Sequence, residues 1–113
     1  MNDFIIRCEK YGADINTAID RFMGDEELYE TCIKIFVADS NFIGLKKSID
    51  AQNYTEAFEH AHALKGVSAN LSLTPLYDKI CVVVEALRAD QYDYLDAQFC
   101  DIETSLNDLK NIL

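Results

Sequence analysis

An all-α fold, an antiparallel four-helix bundle with short N-terminal helices covering one end, is what this sequence predicts. Three observations carry that expectation: a helix-forming composition, apolar residues at helical spacing, and legible helix starts. The 113 residues include one proline, four glycines and no tryptophan, and Leu, Ala, Ile, Asp and Glu dominate, a set that favours helix over sheet. With 50% apolar and 11% aromatic residues the chain can bury one core, so residues 1–113 read as a single domain.

Taken in order, Asp3 to Lys10 and Ile15 to Met23 read as the short covering helices. Gly24-Asp25-Glu26-Glu27 starts the first long helix, with acids in the first turn where they favour the positive end of the helix dipole. Its apolar stripe runs Leu28, Cys32, Ile35, Phe42, Leu45 and Ile49, and Asp39-Ser40-Asn41 is expected to kink that helix without ending it. Asn53 before Tyr54-Thr55-Glu56 is an N-cap close to the capping-box pattern. Thr74-Pro75 reads as an N-cap followed by proline at the first helical position, and Leu76, Ile80, Val83 and Leu87 form the next stripe. Leu95, Phe99, Ile102, Leu106, Leu109 and Ile112 form the last. No repeat, low-complexity run or linker interrupts the four segments, whose short polar connections imply antiparallel neighbours.

Twenty acidic residues against ten basic ones give a formal charge of −10, which would repel phosphate backbones and anionic lipid, so neither nucleic acid nor membrane is an expected partner. The opening MNDFIIRCEKYG has too short an apolar run for a signal peptide, and no stretch approaches the ~20 apolar residues of a membrane span. A cytoplasmic monomer is expected. Cys8, Cys32, Cys81 and Cys100 form no C-x-x-C pair, so they read as four buried, reduced thiols with no metal or redox motif.

The chemistry concentrates in EHAHALKGVSANL, Glu59 to Leu71. At about 100° per residue, Ala57, Ala61, Leu64, Ser68 and Leu71 share one arc that must face the bundle. His60 falls on the flank of that arc, and His62 points about 140° from its centre, towards solvent. Residues two apart on a regular helix cannot chelate one ion, so H-x-H is not a metal site here. Phe58 and Gly66 lie one turn to either side of His62, Lys65 three residues on, and Ala69 two turns on; Glu59 is the nearest acid. Mid-helix glycine costs ~1 kcal/mol relative to alanine, and on this stripe it provides clearance. A nucleophilic nitrogen, a cation at i+3, clearance for a donor and an exposed phenylalanine as docking area are what a phosphoryl-carrying histidine requires. Taken singly, each has a plainer reading: an exposed histidine, a solvated lysine, a packing glycine, a covered phenylalanine.

His62-Ala63-Leu64-Lys65-Gly66, followed by Ser68, Ala69, Asn70 and Leu71, resembles the H-x-x-K-G signature of histidine-containing phosphotransfer (HPt) domains. Ile19-Asp20-Arg21-Phe22-Met23-Gly24-Asp25-Glu26-Glu27-Leu28-Tyr29 resembles the segment that opens the bundle in that family, so the likeness runs from about residue 12 to about residue 90. It implies a carrier in a multistep two-component phosphorelay, with His62 phosphorylated and Lys65 steadying the phosphoryl group. Phe58, Glu59, Gly66 and Ala69 would meet the partners, namely response-regulator receiver domains and a hybrid sensor kinase. No cofactor of its own is implied; a divalent metal would come with the receiver. His60 has no role in the pattern. Ser72 stands where the family commonly has glycine, and Val67 where a smaller residue is usual. The rival reading is a non-catalytic acidic helical interaction module, which would tolerate glutamine at position 62. An autonomous kinase would need a Gly-rich nucleotide loop, which the sequence lacks.

Overall fold

The computed structural model describes residues 2–113 and is all-helical. Seven helices follow in order: α1 (Asp3–Tyr11), α2 (Ile15–Arg21), α3 (Glu26–Val37), α4 (Ser40–Asp50), α5 (Tyr54–Asn70), α6 (Thr74–Arg88) and α7 (Leu95–Lys110). α4, α5, α6 and α7 pack as successive neighbours. α3 continues the line of α4 along α5: the Tyr29 hydroxyl donates to Leu71 O at the far end of α5 at 2.6 Å, while Asn41 meets His60 near its start. The bundle therefore has four columns, α3 and α4 together forming the first. α1 packs on α7 and α2, and the Tyr11 hydroxyl lies 2.7 Å from Ser105 Oγ.

Leu64, Leu76, Ile80, Ile102 and Leu109 are fully buried, and Leu106 nearly so, as the stripes of the last three segments require. The first segment departs from expectation in two linked ways. Asp39 ends the helix instead of kinking it: its backbone is extended (φ −62°, ψ 128°) and its carboxylate accepts from Asn41 N at 2.8 Å, capping a new helix. Because the break resets the rotational phase, the stripe of α4 cannot be extrapolated back through α3. Tyr29, Ile33 and Phe36 face the core, whereas Leu28 and Ile35 are 49% and 68% exposed.

Helix ends explain other details. Asp25 caps α3 through Leu28 N at 2.9 Å, as the acidic start suggests. Thr74, however, is already helical; the cap position falls on Leu73, whose side chain is apolar and fully buried, and no side-chain cap forms. Leu73 is held there because its N–H reaches back to Ser68 O at 3.1 Å while Ser72 N reaches Ala69 O at 3.0 Å, the paired bonds of a Schellman ending. Such an ending needs a left-handed residue, and Ser72 has φ 54°.

Of the four cysteines only Cys8 is buried; Cys32 and Cys81 are half-buried and Cys100 is exposed. The three that escape burial sit on the edges or outer faces of their helices, where a period-based reading cannot distinguish them from core. Burial pushes the Cys8 thiol up to about 11, which leaves it unreactive at neutral pH. Among the described residues no helix is long and apolar enough to cross a membrane.

Candidate functional site

α5, at 17 residues, carries both histidines. It starts where Asn53 Oδ1 accepts from Glu56 N at 3.2 Å; the reciprocal half of a capping box is absent because Asn53 N bonds to Ser48 O. Its far end is clamped by the preceding helices. Arg21 donates to Ala69 O at 3.1 Å and Asn70 O at 2.6 Å, placing a guanidinium at the negative end of the helix dipole. Tyr29 takes Leu71 O, and burial raises its hydroxyl above the ordinary tyrosine range. The column is thus fixed at both ends, and its rotation with it.

That rotation buries Ala57, Ala61, Leu64, Ser68 and Leu71, the five residues assigned to the inner arc. His60 is half-buried against α4. Its Nδ1 lies 2.8 Å from Asn41 Oδ1, while the Asn41 amide nitrogen is committed to Asp39 at 2.9 Å; the imidazole therefore donates, and Asn41 accepts. Directly beneath the ring is Gly44. A Cβ built there would stand 2.5–2.8 Å from three imidazole atoms, so the absent methyl is what allows His60 to lie flat between the helices.

His62 is exposed, as are Glu59, Gly66 and Ala69; Lys65 is half-buried. A Cβ at Gly66 would have nothing within 4 Å, so this glycine fills no packing need within the chain. Three ion pairs occur among the described residues, Lys34–Glu30, Lys46–Asp50 and Arg88–Glu85; Lys65 takes part in none. Phe58 differs from the expectation of an exposed docking residue. It is half-buried and packed against the core, one side covered by the C-terminal end of α6, where the Arg88 guanidinium lies 5.7 Å from its ring centre. Its ring stacks on that of His62, with centroids 5.7 Å apart and planes 26° off parallel.

Sequence reasoning missed Arg88, and a signal for it existed: an antiparallel α5–α6 hairpin turning near Ser72 sets the start of α5 beside the end of α6. Among the described residues no group of three or more His, Cys, Asp or Glu side chains is arranged to hold a metal ion.

Fold and site together define a small helical-bundle domain with one solvent-facing histidine midway along its longest helix, flanked by an uncommitted cation and a bare backbone. The family model of the Hpt domain matches residues 1–112. The chain belongs to the Hpt domain family, whose members carry phosphoryl groups in phosphorelays. No curated protein and no solved structure matches the chain.

Proposed function

We propose that this domain is a phosphoryl carrier of a multistep two-component phosphorelay, accepting the group on His62 from a receiver-domain aspartate and passing it to another receiver. The observation that carries the reading is the exposure of His62 beside a Gly66 that nothing in the chain fills. Phosphoryl transfer demands in-line positioning and charge neutralisation more than covalent help. The neutral imidazole attacks the phosphorus of the aspartyl phosphate; an N–P bond forms as the acyl O–P bond breaks, and the aspartate leaves as carboxylate. The reverse step, on a second receiver, discharges the carrier. Lys65, one turn from the imidazole and outside every ion pair, would steady the phosphoryl oxygens.

Glu59, Gly66 and Ala69 form the exposed face a receiver would meet, with a hybrid sensor kinase as the upstream source. Divalent metal would come with the receiver, and the carrier would need no cofactor and act as a cytoplasmic monomer. It supplies a phosphohistidine intermediate and is not itself a kinase.

The test is labelling from a phosphorylated receiver domain. His62→Gln is expected to abolish acid-labile, base-stable label, and His60→Gln to leave it largely intact. Label retained in His62→Gln overturns the assignment and leaves an acidic interaction module in its place.

A further inference from the structure

We infer that Phe58 is a positioning residue for His62, a ring that holds the imidazole in the orientation from which transfer occurs, in place of the docking residue its apolar character suggests. This rests on the carrier reading above. Side chains on a helix lean towards its N-terminus, so His62 leans onto position 58 and away from position 66. The two neighbours on its stripe are therefore opposites: an aromatic ring behind the imidazole and no side chain ahead of it.

The geometry suits the chemistry. At 5.7 Å and 26° the pair is an offset stack, within the separation at which aromatic rings attract. Stacking covers a face of the imidazole and leaves its edge free. The lone pair that attacks phosphorus lies in the ring plane, at that edge, so Phe58 can restrain the ring without obstructing the in-line approach. An unrestrained exposed histidine would instead sample several rotamers.

Phe58 can serve as a fixed surface because it is itself held. It is half-buried against the core, and the Arg88 guanidinium lies over its ring at 5.7 Å, an attractive arrangement of cation and π-face. Arg88 is in turn tied to Glu85 at 2.6 Å. The order Glu85, Arg88, Phe58, His62 runs from the end of α6 to the reacting group.

The experiment measures transfer from a receiver domain charged with acetyl phosphate, at increasing receiver concentration, for the unaltered chain, Phe58→Leu, Phe58→Tyr and the His62→Gln control. A positioning role predicts that Phe58→Leu lowers the maximal transfer rate per folded molecule about tenfold, since a displacement of ~1 Å can already cost more than that. The half-saturating receiver concentration should stay the same, and Phe58→Tyr should restore the rate. A raised half-saturation with an unaltered maximal rate makes Phe58 a docking residue and overturns the inference. In the unaltered chain, NMR should show one His62 χ1 rotamer and contacts from its ring protons to the Phe58 ring; a rotamer-averaged His62 overturns the inference whatever the variants do. Label persisting in His62→Gln refutes the carrier reading itself, which separates that failure from this one.

Discussion

Two glycines interrupt regular helix in this domain, each beside a histidine, and their surroundings are opposite. At Gly44 the space of the missing methyl is taken by the ring of His60, with three ring atoms at 2.5–2.8 Å from where a Cβ would be; at Gly66 it is taken by nothing within 4 Å. Each carries the same helix-propensity cost of ~1 kcal/mol. In the first case packing within the chain offsets it, by letting α4 and α5 close around a hydrogen-bonded imidazole. In the second nothing in the chain lies within 4 Å, as the proposed clearance role would require. What occupies the absent side chain's volume thus separates a glycine that serves packing from one left open, and the same contrast of burial separates the two histidines.

The widest separation is expected between the histidines themselves. His62→Gln should lose all label and leave stability unaltered, because its side chain is exposed. His60→Gln should keep the label and lose roughly 1 kcal/mol, the net worth of the half-buried hydrogen bond to Asn41. Urea denaturation and receiver labelling on the two variants check both halves. Equal stabilities would mean that the His60–Asn41 bond contributes nothing.

Next in size is the glycine pair. Gly44→Ala should destabilise by ~1–3 kcal/mol through overpacking, in spite of alanine's better propensity. Gly66→Ala should stabilise by up to ~1 kcal/mol. The opposite signs are the comparison in its sharpest form. A double variant joining Gly44→Ala to His60→Ala should recover much of the loss, since the clash is with that ring, and a purely additive double variant would show that the close approach is not the cause. On the functional side Gly66→Gln should slow phosphotransfer while leaving the melting temperature unchanged or raised, because the longer side chain stands one turn from the imidazole where a donor must come. An unaltered transfer rate in a well-folded Gly66→Gln would remove the clearance role.

Only half of this comparison was legible in the sequence. The exposed half follows from helical geometry within α5: Ala57, Ala61, Leu64 and Ser68 define the inner face, and His62 and Gly66 fall opposite it without knowledge of any other helix. The buried half does not follow, because Gly44 and His60 are 16 positions apart and their contact depends on how α4 packs on α5. The caps of α3 and α5 were legible because a cap is a local bond, Asp25 to Leu28 N and Asn53 to Glu56 N. The inner face of α3 was not: apolar residues seven apart, Leu28, Ile35 and Phe42, read as one continuous stripe, and only the cap at Asp39 shows that the helix restarts there with a new phase. Phe58 looked exposed for the same kind of reason, since what covers it is Arg88 from another helix.

The smallest expected effect concerns places where the backbone asks for glycine and the chain does not supply it. Met23, Gln52, Ser72 and Asp90 have φ of 54–56°, each at a helix end closed by the same pair of backbone bonds that holds Ser72 and Leu73. Gly12 and Gly24, at φ 115° and 82°, do supply glycine at left-handed positions, whereas at these four helix ends the chain carries a side chain instead. A non-glycine residue in that conformation costs about 1–2 kcal/mol, part of which glycine loses again through its freer unfolded chain. Gln52→Gly, at an exposed position whose side chain makes no hydrogen bond among the described residues, should therefore stabilise by a net gain of ~0.5 kcal/mol. Ser72→Gly should gain less, because it also deletes the hydroxyl that accepts from Arg21 at 3.3 Å and so loosens the clamp of α2 on α5. Denaturation midpoints for the two variants settle the order. A larger gain at position 72 than at position 52 would mean that the Arg21 contact has no energetic weight, and that glycine is the better residue at the end of the helix that carries His62.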